Sequence, residues 1–285
     1  MGHKPALPPI IIIGMHRSGT TMITRLLQKL GLFVGKNLDD NCEPLFFANL
    51  NNWLMRCGGE WDYPGPTREL VSNATIRKSV IDHLGYFLKS PRVATFLGFS
   101  KYLRYRTPMN LEVPWGWKDP RNTYTLPLWL DLFPRAKVIN IYRHGIDVAN
   151  SLRVRAEKAL TNNVKVCGKK KFYYWLKRRP EPLGTLRCLS LDGAFALWEE
   201  YVVEAHKHAV ELQGRAIEVK YEDFLSDPSA GLRGLASFAG LPCNEADIAK
   251  VVSQVKKERA YGYRQVHELR VYETHVSERL KALGY

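Results

Sequence analysis

The stretch IIIIGMHRSGTTMITRLL, residues 10–27, constrains the fold more than any other part of the chain. Four successive isoleucines are β-branched and apolar on both faces, the pattern of a short, fully buried strand. Gly14 and Gly19 then frame a loop, and Met22, Ile23, Leu26, Leu27 and Leu30 recur at helical spacing until Gly31 ends the run. A strand running through a glycine loop into a helix opens an α/β unit. The glycine spacing is that of the Walker A loop, G-x-x-x-x-G-K-[ST], except that Thr20 stands where the lysine belongs. Backbone N–H groups at a helix N-terminus bind phosphate through aligned dipoles and need no lysine. The Walker lysine serves transfer of a γ-phosphoryl group together with Mg²⁺. The loop therefore suits a terminal phosphate that is not itself transferred. Arg17 can pair with it, and the Thr20 and Thr21 hydroxyls can donate to it.

Further along, residues 45–58 are expected to be helical after Pro44, and residues 67–88 to form a helix. A short extended piece at WGWKDPR precedes a helix ending near Pro134. AKVINIYR is a second clear strand and IDVANSLRVRAEKAL a helix after it. SLDGAFALWEEYVVEAHKHAVEL is a long helix with Ser190 as its N-cap, and AIEVKYEDF a third strand. DPSAGLRGLASFAGL is a helix capped by Asp227 with Pro228 in its first turn, and the last forty or so residues read as mixed. Strands alternating with helices predict a P-loop-containing, three-layer α/β/α fold around a central parallel sheet. The expectation is one domain over residues 1–285, with a basic insertion at about 153–189.

That insertion carries most of the charge. The chain's net charge is +14, and residues 153–179 hold ten Lys or Arg against Glu157 alone. Such a segment attracts anions or is a solvated surface. The aromatic stretch FYYWLKRRP, residues 172–180, is either a lid or acceptor groove or a loop packing on its own domain. Five cysteines form no C-x-x-C pair, and the histidines form no H-E-x-x-H, so no metal is expected. No stretch reaches the roughly 18 apolar residues of a membrane helix. Ala6 stands where a myristoylation site wants Ser or Thr. A soluble, cytoplasmic protein is expected.

GMHRSGTT resembles the 5′-phosphosulfate loop of the sulfotransferases that use 3′-phosphoadenosine-5′-phosphosulfate, in the variant of tyrosylprotein sulfotransferases and many bacterial members. VINIYRHGIDVANSL resembles the family's 3′-phosphate motif, an Arg at a strand end and a Ser eight residues later, here Arg143 and Ser151. His144-Gly145 stands where the family usually has Asp-Pro or Asn-Pro. WGWKDPR and VKYEDFLSDP resemble two further family segments. The likeness spans about residues 9–242 and implies a donor site at Arg17, Ser18, Gly19, Thr20, Thr21, Arg143, Ser151 and Tyr221, with Arg155 one helical turn beyond Ser151. The implied partners are this nucleotide donor, its product 3′,5′-adenosine bisphosphate, and an acceptor hydroxyl or amine, a glycan or metabolite rather than nucleic acid.

Transfer of a sulfuryl group needs a base for the acceptor's proton and cations for the leaving phosphate. The resemblance implies Glu43 as base, with Asp39, Asp40, His16 and His144 as competitors, and Lys118 and Arg17 for the leaving group. Arg121 is a candidate to orient donor or acceptor. A small-molecule kinase and a non-catalytic anion or nucleic-acid binder remain the alternatives; the first lacks a Walker lysine and an acid after VINIY, where Arg143 stands. Replacing Arg143 by Ala should raise the dissociation constant of 3′,5′-adenosine bisphosphate about tenfold or more, with the melting temperature unchanged; calorimetric titration reads the effect, and unchanged affinity would remove Arg143 from the phosphate site.

Overall fold

Four parallel strands follow from the isoleucine run: β1 (Ile10–Ile13), β2 (Gly116–Lys118), β3 (Lys137–Tyr142) and β4 (Ala216–Lys220), in the order β2-β1-β3-β4. Ile11 pairs with Trp117 on one side and Val138 on the other, and Ile139 pairs with Ile217. The computed structural model describes residues 5–169, 185–255 and 259–285. The expected extended piece at WGWK is thus a fourth strand.

Side-chain alternation along β1 builds two cores, one on each face of the sheet. Ile11 and Ile13 point into the first with Phe47, Trp117 and Trp129; Ile10 and Ile12 point into the second with Ile23, Leu27, Phe224 and Leu232. Trp117 and Phe47 stack face to face at 4.2 Å. The helices α1 (Thr20–Lys29), α2 (Leu45–Arg56), α3 (Thr67–Ser72), α4 (Ala74–Lys89), α5 (Ala94–Leu97), α6 (Phe99–Tyr105) and α7 (Asn122–Leu132) precede β3. Then come α8 (Gly145–Lys169), α9 (Leu191–Leu212), α10 (Tyr221–Ser226), α11 (Pro228–Ala239), α12 (Glu245–Val252) and α13 (His267–Ala282). Helices α2, α4 and α7 supply the first core, and α1, α10 and α11 the second, which gives the three layers.

Several boundaries differ from expectation for local reasons. Asn73 splits the helix expected over 67–88, because its side chain accepts the Ile76 N–H and caps α4. The strand expected to run through AIEVKYEDF ends at Lys220, and Tyr221 opens α10. Helix α8 continues to Lys169, past the end of the helix expected over IDVANSLRVRAEKAL. The aromatic stretch 172–180 lies outside the described residues. The C-terminal residues are mainly helical. Ser190 caps as expected, its hydroxyl accepting the Gly193 N–H at 3.0 Å, and Asp227 accepts the Ala230 N–H at 3.0 Å.

The chain forms two compact units, residues 1–143 with 201–260, and residues 144–200 with 261–285. The first holds the sheet and both cores. In it Pro127 lies inside α7 and cannot donate to the Thr123 carbonyl one turn back. His208 Nε2 fills that place at 2.9 Å. In the second unit, the Asp147 carboxylate accepts the backbone N–H groups of Gly262 and Tyr263, and His144 stacks on Tyr263 at 4.4 Å. Phe195 and Trp198 pack there with ring centroids 5.0 Å apart. No helix of the described residues is long and apolar enough to cross a membrane. Asn73→Ala should lower unfolding free energy by about 1 kcal/mol, the usual worth of an N-cap; urea denaturation measures it, and no change would remove the cap's role.

Candidate active site

Every strand of the sheet delivers a candidate residue at its C-terminal end, where parallel α/β sheets bind ligands. The glycine loop follows β1, Lys118 is the last residue of β2, Arg143 follows β3 and Tyr221 follows β4.

The loop's shape depends on its glycines. Gly14 has φ of 126°, and a Cβ there would lie 2.1 Å from the Ile141 carbonyl oxygen. Its N–H donates to Thr123 Oγ1 at 3.3 Å. Gly19 has φ of 94°, and a Cβ there would lie 2.3 Å from the Tyr221 ring. Arg17 is exposed and takes a left-handed conformation, φ 71°, which a non-glycine residue adopts only under constraint. Helix α1 begins directly after Gly19, with no side-chain cap and no acidic residue in its first turn. Its first N–H groups therefore lack intrahelical acceptors, and its dipole favours an anion. The Ser18 hydroxyl is buried with no hydrogen-bond partner among the described residues. His16 sets its ring edge-on to Trp61 at 4.8 Å.

Tyr221 links this loop to the strand arginine. The ring is buried against Gly19, and the Arg143 guanidinium lies 4.8 Å from its centroid. Arg143 also donates to the Arg259 carbonyl at 2.8 Å. Ser151 and Arg155 sit on α8, in the second unit, Ser151 half-buried and Arg155 exposed.

Beside the loop lies a buried network of charge. Glu43 is 5 % exposed; Oε1 accepts from Lys118 Nζ at 2.9 Å and Oε2 from Arg121 at 2.9 Å. Lys118 is 1 % exposed, a buried lysine. Asp119 accepts from the backbone N–H and the Nε of Arg121, at 2.9 and 2.8 Å. Arg121 donates to Asn52 as well. Behind them Asn51 donates to Asp119 and Asn122, both at 2.8 Å, and accepts from Thr125 and Trp129, both at 2.9 Å. Two carboxylates and two cations share this region, so its formal charge is zero. Tyr201, wholly buried, donates to the Trp61 carbonyl at 2.7 Å, and burial pushes its phenol well above the ordinary range.

Burial raises the pKa of Glu43 above 4.5, and the Asp119 charge adds to it; Lys118 and Arg121 pull back without cancelling. For Arg121, burial acts downward, but Asp119 and Glu43 outweigh it and hold the guanidinium charged. The rival carboxylates differ in setting. Asp39 Oδ1 accepts the N–H groups of Asn41 and Glu43, at 2.9 and 2.7 Å, and so shapes the turn that presents Glu43. Asp40 is exposed, and its carbonyl accepts from Arg25 of α1 at 2.8 Å. His144 lies in the second unit among Tyr261, Tyr263 and Tyr285. The Thr21 hydroxyl donates to the Asn41 carbonyl at 3.2 Å, tying the loop's helix to the segment carrying Glu43.

The structure thus joins Glu43, Lys118 and Arg121 in one cluster, and Gly19, Tyr221 and Arg143 in another. Sequence reasoning missed Asn51, Asn52, Asp119, Thr123, Trp61 and Tyr201 as parts of this region. The signal for Asn51 was present: amides inside an otherwise apolar helix, FFANLNNWL, need buried partners to be tolerated.

Residues 8–245 match the sulfotransferase family, and the chain belongs to it. It is a sulfotransferase. No curated protein matches the chain. Among solved structures it is similar to the sulfotransferase domain of the curacin biosynthetic pathway, with 16 % identity over 90 % of this chain and 81 % of that one, TM-score 0.46. It is also similar to sulfotransferase STF9 from Mycobacterium avium, 16 % identical over 98 % of this chain and 77 % of that one, TM-score 0.45. The sulfotransferase domain of the Synechococcus PCC 7002 olefin synthase is 18 % identical over 93 % of this chain and 90 % of that one, TM-score 0.45.

Asn51→Leu should remove four buried hydrogen bonds, those to Asp119 Oδ2 and from Trp129 Nε1 among them, and lower unfolding free energy by about 3 kcal/mol or more; chemical denaturation tests this, and a loss under about 1 kcal/mol would mean that the amide does not organise the network.

Proposed function

We propose that the chain transfers a sulfuryl group from 3′-phosphoadenosine-5′-phosphosulfate to an acceptor hydroxyl or amine, with Glu43 as base. The observation that carries this is the pairing of a glycine loop at an uncapped helix N-terminus with a buried Glu43–Lys118–Arg121 cluster. The loop fits a phosphate: its glycines leave no room for side chains, and the α1 N-terminus favours an anion. When bound, the donor supplies a sulfuryl group on a 5′-phosphate that departs with the bonding electron pair.

The chain's residues would do the rest. The loop at Arg17, Ser18, Gly19, Thr20 and Thr21 would hold the 5′-phosphate. Arg143 would hold the 3′-phosphate, and the family resemblance adds Ser151 and Arg155 to that role and Tyr221 to the nucleotide contact. Glu43 would take the acceptor's proton, and its raised pKa makes it a better base than an ordinary carboxylate. Lys118 and Arg17 would donate to the oxygen on which charge develops. A glycan or metabolite hydroxyl is the acceptor class favoured, in a cytoplasmic setting, with residues 1–285 acting as one catalytic domain.

Calorimetric titration with 3′,5′-adenosine bisphosphate in EDTA tests the donor, with ATP for comparison. Tight metal-free binding to the bisphosphate and little to ATP is expected. Binding only of ATP with Mg²⁺ would favour a kinase and contradict the proposal. The base predicts a pH dependence. Glu43 acts only when deprotonated, so kcat/KM for the acceptor, at saturating donor, should fall with decreasing pH on a limb centred above 4.5. Glu43→Gln should abolish turnover; retained turnover would place the base elsewhere.

A further inference from the structure

The two cations on Glu43 are attached very differently. Arg121 is pinned on three further sides: its Nε and its backbone N–H donate to Asp119 Oδ1, and another guanidinium nitrogen donates to Asn52. Asp119 is itself fixed from behind by Asn51 at 2.8 Å. Lys118 has no such anchorage. Among the described residues its Nζ makes one hydrogen bond, to Glu43 Oε1 at 2.9 Å. An ammonium group carries three donors, and a buried one is expected to use them. Lys118 is 1 % exposed, so its remaining capacity is not turned to bulk solvent. It sits at the end of β2, and Ile12, its partner in register, lies two residues before the loop glycine Gly14. The end of β2 therefore adjoins the strand that leads into the loop.

The carboxylate has the complementary shortfall. Both oxygens of Glu43 accept from cations, Oε1 from Lys118 and Oε2 from Arg121. Burial raises the Glu43 pKa overall, but the cation beside each oxygen still favours the charged form and so opposes protonation there. Loosening one contact makes Glu43 a stronger base still, and the singly held lysine is the one able to move.

Resting on the donor site proposed above, we infer that the Glu43–Lys118 ion pair is a latch that couples nucleotide binding to release of the base. Binding of the 5′-phosphate draws Lys118 Nζ from Glu43 Oε1 to a phosphate oxygen. Oε1 is then open to the acceptor's proton, while Arg121 keeps Oε2 and hence the carboxylate's position. Lys118 leaves one anion for another, so no charge is stranded in the buried site. The donor then precedes the acceptor in productive binding, and the empty enzyme holds its base masked.

A double-mutant cycle on nucleotide affinity tests the latch without any turnover. The probe is 3′,5′-adenosine bisphosphate, titrated into wild type, Glu43→Gln, Lys118→Met and the double variant. If Glu43 competes with the phosphate for Lys118, Glu43→Gln should tighten binding about threefold or more. In the Lys118→Met background the same change should alter affinity by less than about 1.5-fold. Melting curves establish that each variant is folded. Should Glu43→Gln not fold, Glu43→Asp keeps the charge and withdraws it by one methylene, and tightening is again expected. Unchanged or weaker binding by the folded Glu43 variant overturns the latch. Equal tightening with and without Lys118 also overturns it, because simple removal of a negative charge would then suffice. Failure of the wild type itself to bind the nucleotide is a different result: it overturns the donor site and the latch together.

Discussion

A carboxylate removed from water and placed between two buried cations is the interaction on which the rest of this structure depends. Taking Glu43, Lys118, Asp119 and Arg121 out of solvent is expensive, and mutual attraction offsets that cost only if every partner is held in place. The surrounding fold meets that condition for Glu43, Asp119 and Arg121, and among the described residues leaves Lys118 to Glu43 alone. Asn51 fixes Asp119, Asp119 fixes Arg121, and Asp39 fixes the backbone that presents Glu43. Trp117, Trp129 and Phe47 enclose the polar groups in an aromatic core. Such an ion cluster adds little to stability compared with an apolar core of equal volume. The raised pKa of Glu43 marks the cluster as a candidate for chemistry rather than for stability.

The parallel sheet explains how residues so distant in sequence meet. Strands in one direction place all their C-terminal ends at one edge, so the loop after β1, Lys118 at the end of β2, Arg143 after β3 and Tyr221 after β4 share that edge without any of them being adjacent in the chain. The order β2-β1-β3-β4 puts the isoleucine strand inside, flanked on both sides, which is why it carries no polar residue. Around it, small devices repair local defects. Pro127 deprives the Thr123 carbonyl of a helical donor, His208 supplies another, and the Thr123 hydroxyl accepts from the first glycine of the loop. Gly19 is bare because the Tyr221 ring occupies the space of a side chain.

Much of this was legible in the sequence where the signal is local. The buried strand, the glycine loop, the helix after it and the caps at Ser190 and Asp227 each rest on a few neighbouring residues, and periodicity or capping chemistry exposes them. What local pattern cannot convey is partnership across the chain. Glu43 and Lys118 are 75 positions apart, and nothing in either segment tells which anion Lys118 meets. Asp119 is the next residue in the chain, yet its carboxylate meets Arg121 rather than Lys118. Asn73 was hidden for a different reason: within a run of helix formers, one capping residue is indistinguishable from a polar surface position until the break is seen. Beyond Leu160 local signal fails the other way: TNNVKVCGK is mostly weak helix formers, yet α8 continues to Lys169.

A crystal structure of the wild-type protein with 3′,5′-adenosine bisphosphate would test the account most directly. The 5′-phosphate is expected against the loop that follows β1, with Lys118 Nζ on a phosphate oxygen, Arg121 still on Glu43, and Glu43 Oε1 released. A phosphate bound away from that loop would contradict the donor site. A phosphate in the loop with Lys118 still on Glu43 would leave the donor site standing and contradict the coupling between nucleotide and base.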